Sequence, residues 1–120
     1  PGPQALLGSA TALPFADGAV DVVVCKAVAH HLPPQALALV LQECARVSRE
    51  RFIFFDAVRV PGRFLSRALW RYDLGRFPYT EDELQQALAQ HFELEQTERF
   101  AVYHQYLLCS ARPKKNRVTR

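Results

Sequence analysis

The stretch from Ala12 to Leu32, ALPFADGAVDVVVCKAVAHHL, limits the fold more than any other part of the chain. Its centre, Val20 to Val24, is apolar except for Asp21 and rich in β-branched valine. The run is too short for a helix and reads as a strand buried on both faces, the kind a parallel sheet requires. Pro14 and the Asp17-Gly18 pair ahead of it are turn chemistry. Cys25, Lys26, His30 and His31 crowd the run's C-terminal end. In open parallel sheets, ligands sit in the crevice outside the strands' carboxyl ends, so this cluster marks a candidate site.

The order of the remaining elements follows from the same reasoning. Ala5 to Leu7 reads as a short edge strand, and Ala27 to Leu32 as a connector with room for one helical turn. Pro33-Pro34 opens a helix, since proline is tolerated in the first turn. Leu37, Val40, Leu41, Cys44 and Val47 keep helical spacing along it. Glu43 and Arg46 lie one turn apart and can pair weakly. Ser48 to Arg51 reads as a charged turn. Phe52 to Val58, FIFFDAV, is a second buried strand with Asp56 near its end. Two such strands joined by a helix form a parallel βαβ unit.

Beyond Pro61-Gly62, residues Phe64, Leu65, Ala68, Leu69 and Tyr72 form an apolar helical stripe. Arg63, Arg67 and Arg71, beside Trp70, form a basic one that could meet an anionic substrate or surface. Gly75 and Pro78 end that element. Thr80 and Glu83 make a Thr-x-x-Glu capping box for the next helix, with Glu81 and Asp82 suiting its positive end. Leu84, Ala87, Leu88 and His91 carry its buried face. Phe92, Leu94, Gln96 and Glu98 share one face of a strand. A final strand falls within Phe100 to Ala111. The expected architecture is α/β, a mostly parallel sheet closed by an antiparallel C-terminal strand pair.

At 120 residues the chain is one domain at most. No apolar run approaches the ~20 residues of a membrane span, and no signal peptide is evident. Three widely spaced cysteines, Cys25, Cys44 and Cys109, do not suggest a disulfide framework, so a reducing, cytoplasmic setting is expected. The net charge of +3 is concentrated at the end. Arg112, Lys114, Lys115, Arg117 and Arg120 fall in the last nine residues, and without them ten basic residues face twelve acidic ones. Residues 113–120 therefore read as a basic solvated tail on a domain spanning 1–112. The body lacks the interleaved aromatic and basic residues of a nucleic-acid binder, so no specific nucleic-acid partner is expected.

Several pieces together resemble class I S-adenosylmethionine-dependent methyltransferases, in particular the type 11 group that includes the ubiquinone/menaquinone-biosynthesis enzymes. They are Gly8-Ser9-Ala10, Leu13-Pro14-Phe15, Asp17, Val20-Asp21-Val22-Val23 and His30-His31-Leu32, followed by a helix carrying Glu43, Arg46 and Val47. Phe52 to Asp56 resembles the family's next strand, and Tyr79-Thr80 to Leu84 with the closing strand pair fits its last part. The likeness runs from about residue 5 to 112.

The resemblance implies a Rossmann-like sheet in which Val20–Lys26 is the fourth strand. It also implies S-adenosyl-L-methionine as cofactor and a small-molecule acceptor. Ser9 and Ala10 match positions facing the adenine, Cys25 and Lys26 the strand end along which the cofactor passes, and His30 and His31 are candidate catalytic groups. Imidazole titrates near neutrality and suits a base. Cys25 reads as an inert buried thiol, and no ligand spacing supports a metal at Cys25, His30 and His31.

The chain departs from the pattern in three places. It contains no Gly-x-Gly, so the family's glycine-rich cofactor loop and the strands that carry it are missing. Ser9 replaces the adenine-recognising aspartate, and Ser48-Arg49-Glu50-Arg51 replaces a Lys-Pro-Gly-Gly turn. The expectation is the C-terminal two-thirds of a methyltransferase domain. The alternative is a truncated, non-catalytic homologue that pairs with another copy through an exposed sheet edge.

Overall fold

The structure is a computed structural model describing residues 8–59, 77–101 and 105–114. The expected strand at Ala5 to Leu7, the arginine stripe with Trp70, and most of the basic tail lie outside these residues.

The described elements are strands β1 (Val20–Lys26), β2 (Ser48–Val58), β3 (Phe92–Ala101) and β4 (Gln105–Pro113), with helices α1 (Pro34–Val47) and α2 (Glu81–Ala89). A 3-10 turn spans Ala29–His31 between β1 and α1. The strands form one sheet in the order β1-β2-β4-β3. β1 and β2 are parallel, while β4 runs antiparallel to both β2 and β3. This is the expected parallel unit followed by an antiparallel pair. No helix among the described residues is long and apolar enough to cross a membrane.

α1 starts on Pro34, where the missing amide donor costs nothing, and buries Leu37, Val40, Leu41, Cys44 and Val47. All five residues of the periodic stripe thus face the sheet. α2 begins at the Thr80 cap, and both halves of the capping box form. Leu84 and Leu88 are fully buried, with Ala87 and His91 half-buried. Both helices cover the sheet face built from Cys25, Phe52, Phe54, Val58, Leu107, Cys109 and Ala111. Phe52 stacks on Phe92 with ring centroids 4.4 Å apart. Such aromatic pairs contribute beyond their buried area.

Three expectations are corrected. First, β1 is not buried on both faces: Val22 is 48% and Val24 61% exposed, while Cys25 points into the core. β1 is the sheet's edge among the described residues, and both helices lie on the opposite face from these valines. Second, Ser48 to Arg51 is not a turn. α1 passes directly into β2, where Ser48 pairs with Val20 and Arg51 with Val22. Ser48 Oγ donates to the Cys44 carbonyl, satisfying one of the acceptors a helix end leaves open. Arg51 reaches across the sheet to Glu95 and Ser110, so these charges serve a strand.

Third, the alternation in β3 breaks. The register shifts between Leu94 and Gln96, which turns Gln96 and Glu98 outward opposite Ser110 and Leu108. Thr97, opposite Cys109, takes the core side. A β-bulge inserts one unpaired residue and reverses the alternation beyond it. Glu95, the residue at the bulge, is held by Arg51 at 2.8 Å and Arg112 at 2.7 Å. The last strand expected within Phe100 to Ala111 is β4, while Phe100 itself ends up in β3.

Candidate active site

The parallel pairing brings the carboxyl ends of β1 and β2 side by side, with Cys25 opposite Phe54 and Lys26 opposite Phe55. The chain then turns sharply. Ala27 takes a left-handed backbone (φ 58°), and its N–H donates to the Phe55 carbonyl at 2.8 Å. A non-glycine residue in this region costs roughly 1–2 kcal/mol, so the surrounding contacts must impose it.

The turn delivers His30 to Asp56. The Asp56 side chain is fully buried, and its two oxygens make three contacts. Oδ2 accepts the Ala29 N–H at 2.7 Å, and Oδ1 accepts the Ala57 N–H at 2.8 Å. Oδ1 also lies 2.5 Å from His30 Nδ1. A carboxylate offers only acceptors, so the ring nitrogen facing it is the protonated one. Two buried backbone donors depend on this side chain. Leaving either unpaired would cost roughly 1–3 kcal/mol, which accounts for an acid at the end of an otherwise apolar strand.

His31 is exposed and its ring packs against that of His30, with centroids 4.1 Å apart. The turn is closed from above by Phe77–Tyr79. The Phe77 N–H donates to the His30 carbonyl at 3.1 Å, and Tyr79 Oη donates to the Leu32 carbonyl at 2.6 Å. Burial, followed by the charge of Glu83, raises the Tyr79 phenol above its ordinary value and keeps it a donor.

The other expected site residues divide. Cys25 is buried against α1, and burial first, then Cys44 and Asp56, pushes its thiol up to about 12. Its side chain belongs to the core, which leaves only its backbone to meet a ligand. Lys26 is exposed at the strand end. Ser9 and Ala10 are exposed in a separate turn. There Ser9 Oγ lies 2.8 Å from Thr11 Oγ1 and accepts the Thr11 N–H at 3.2 Å.

That turn leads into a loop fastened to α1. Glu43 Oε1 accepts the Leu13 N–H at 2.7 Å. Arg46 donates to Glu43, to the Leu13 and Phe15 carbonyls, and to Asp17 Oδ1. The spacing of Glu43 and Arg46 showed that they could meet. It did not show that they hold the loop before β1. Asp56 stood out in the sequence as an acid ending an apolar strand, but its pairing with His30 depends on the turn at Ala27.

Residues 2–55 match the family described as methyltransferase domain. No curated protein matches the chain by sequence. Among solved structures, a Pyrococcus horikoshii protein superposes with a TM-score of 0.72 at 18% identity, covering 91% of this chain and 58% of its own. A SAM-dependent methyltransferase from Methanosarcina mazei gives 0.70 at 16% identity, with 90% and 66% covered. Geranyl diphosphate C-methyltransferase from Streptomyces coelicolor gives 0.68 at 13% identity, with 91% and 52% covered.

The fold is that of a class I methyltransferase. About nine-tenths of the chain superposes on each of these three structures, but it spans 58%, 66% and 52% of their lengths. His30 and Asp56 lie at the carboxyl ends of the parallel pair β1 and β2.

Proposed function

We propose that the chain is part of a methyltransferase that uses S-adenosyl-L-methionine to methylate a small molecule. The observation that carries this reading is the His30–Asp56 pair at the carboxyl ends of two parallel strands, where α/β sheets bind ligands. The matched family and the superposed methyltransferases support it.

The residues present fit one end of the cofactor. Ser9 supplies an exposed hydroxyl and Ala10 an exposed backbone, suited to the polar edge of adenine. The backbone of Cys25 and the Lys26 side chain line the strand end. Among the described residues no Gly-x-Gly segment offers a close backbone approach to the methionine end. When bound, S-adenosylmethionine supplies an electrophilic methyl group on a sulfonium. The chain's own work is to hold the acceptor in line and to receive its proton, for which His30 and His31 are the candidate groups.

Calorimetric titration of S-adenosylmethionine and S-adenosylhomocysteine into the chain tests this reading. Micromolar binding, weakened by Lys26→Glu, is expected. Absence of binding to either compound would count against it.

One observation favours a second reading, a non-catalytic module that pairs with a second copy. β1 has a strand on one side only among the described residues, and Val22 and Val24 on it are exposed. Sedimentation equilibrium of the same sample separates the readings. A stable dimer that does not bind the cofactor supports the module.

A further inference from the structure

We propose that Lys26 and Arg59 form a binding site for an oxyanion, the carboxylate or phosphate of a small molecule held at the mouth of the crevice. That this group belongs to the methyl acceptor rests on the methyltransferase reading.

The site lies where one neighbour of β2 replaces another. β1 flanks β2 as far as Lys26, opposite Phe55, and leaves at Ala27, whose N–H donates to the Phe55 carbonyl. Further along, residues 77–80 take its place. The Arg59 N–H donates to the Tyr79 carbonyl at 2.8 Å, and Arg59 forms a parallel bridge with Thr80. Lys26 ends the first neighbour and Arg59 borders the second. Cys25 and Val58 both belong to the core, and successive residues of an extended chain face opposite ways. Lys26 and Arg59 therefore leave the sheet on the same face, away from α1 and α2. Arg59 lies four residues beyond Phe55, roughly 13 Å along the strand. Two long cationic side chains can close that gap from its two ends.

The charges around this gap are unbalanced. Six arginines are among the described residues. Five of them hold a carboxylate: Arg46 that of Glu43 and Asp17, Arg49 that of Asp21, Arg51 and Arg112 that of Glu95, and Arg99 that of Glu81. Arg59 holds none among the described residues. Its Nε donates to the Pro78 carbonyl at 3.2 Å, in a hydrogen bond at the surface. Lys26 is exposed and likewise meets no carboxylate among the described residues. The acids nearest in the chain are already engaged. Asp56 is buried with His30 and two amides, and Glu83 caps Thr80.

A guanidinium carries five donors in a planar fork that matches a carboxylate or a phosphate. The bond from Nε to Pro78 uses one of the five and anchors the group before a ligand arrives, which lowers the cost of ordering it. Two cations of one sign, unopposed across a gap between chain segments, draw an anion into it.

The test is titration of the intact chain with sodium phosphate and, separately, sodium acetate, at pH 6 and constant ionic strength. The readout is the Nε–Hε signals of 15N-labelled arginine, and Arg59→Gln assigns the Arg59 signal by its loss. Saturable movement of that signal with at least one oxyanion, and none with chloride, is expected. The oxyanion that saturates distinguishes phosphate from carboxylate. Lys26→Gln alters an exposed side chain and leaves the core intact. It should weaken binding by at least about threefold. An Arg59 signal that does not saturate, or that moves only as those of Arg49 and Arg112 do, overturns the proposal. So does equal binding by the Lys26→Gln chain.

The titration is repeated with S-adenosylhomocysteine, whose own binding is measured by calorimetry. Saturation that persists beside the bound compound keeps the site for the acceptor. Saturation lost when the compound binds gives the site to the cofactor's carboxylate and overturns the proposal. Oxyanion binding without S-adenosylhomocysteine binding upholds the site and removes the methyltransferase reading, and the opposite pair of results does the reverse.

Discussion

Arg46 grips Glu43 one turn back along α1 and, with the same guanidinium, holds the loop that leads into β1. Its Nε lies 2.6 Å from Glu43 Oε2, and its two terminal nitrogens reach Phe15, Asp17 and Leu13. Glu43 completes the ring by accepting the Leu13 N–H. An isolated helix pair at this spacing is weak. Here the pair is a clasp between helix and loop. Arg46→Ala should therefore speed amide exchange at Leu13 and Gly18, whose N–H groups depend on Glu43 and the Arg46 carbonyl respectively. It should leave exchange in β4 unchanged. Hydrogen-exchange mass spectrometry resolves the two segments, and equal exchange at Leu13 in both proteins would refute the clasp.

The same clasp gives an acid signature. The hydrogen bond from Arg46 holds the Glu43 carboxyl below its ordinary 4.5, burial works against this, and the Leu13 N–H adds to the lowering. A carboxyl lowered in the folded state binds fewer protons there than in the unfolded chain. Its stabilisation is complete above about 4.5 and disappears as pH falls through the folded value. Glu43→Gln removes that slope. Urea midpoints of the two proteins should differ at pH 6, and the gap should narrow as pH falls below about 4.5. A constant gap across this range would show that Glu43 does not titrate through the clasp.

How much of this was readable in the residues depends on the kind of contact. The five apolar positions of α1, the two strands around it and the Thr80 box follow from local spacing, and the structure has all of them. Ser48 to Arg51 misled because charge resembles a turn, while Arg51 pairs with a glutamate 44 residues away. The exposed face of β1 misled for a related reason. A short valine-rich apolar run predicts a strand, but what covers each face is decided by elements distant in sequence. Gln96 and Glu98 face outward because of a bulge that no pattern of apolar residues announces. At the site, the histidines and Asp56 were visible as residue types. Their meeting required a left-handed alanine, and alanine gives no local hint of that conformation.

Cys25 lies at the strand end yet should be chemically silent. Burial pushes its thiol up to about 12, and the same cause pushes Cys44 up to about 11. The thiolate is the reactive species. Maleimide at pH 7.5 should leave the folded chain unmodified at both residues and label them fully in urea. Cys25→Ala should cost about 1 kcal/mol through lost packing and leave cofactor affinity unchanged. Rapid labelling of the folded protein would place the thiol in the crevice instead.

Thr80 fixes where α2 begins. Its Oγ1 accepts the Glu83 N–H at 3.2 Å, and the Glu83 carboxylate accepts the Thr80 N–H at 2.8 Å. Thr80→Ala removes the side-chain half of the box and should cost about 1 kcal/mol. For a domain of this size that corresponds to roughly 4 °C in Tm. Thr80→Ser should recover most of it, which separates the hydrogen bond from the lost methyl group. A thermal melt of the three proteins decides the matter.

Ala27 is the residue on which the site's geometry turns, and its backbone can be tested directly. The left-handed conformation costs an alanine roughly 1–2 kcal/mol. Glycine escapes that cost but gives the unfolded chain more freedom, which offsets roughly 0.4–1 kcal/mol. Ala27→Gly should therefore be neutral or stabilising by up to about 1 kcal/mol. Valine is worse than alanine in this region because its branched carbon crowds the backbone. Ala27→Val should destabilise by at least about 1 kcal/mol. The side chain is exposed, so neither change alters core packing, and the Ala27 N–H bond to Phe55 survives in both. Urea unfolding gives both differences at constant m-value. The order Gly at or above Ala, and Ala above Val, requires the left-handed turn in solution. An ordinary extended backbone would make glycine the least stable of the three, and would carry His30 away from Asp56.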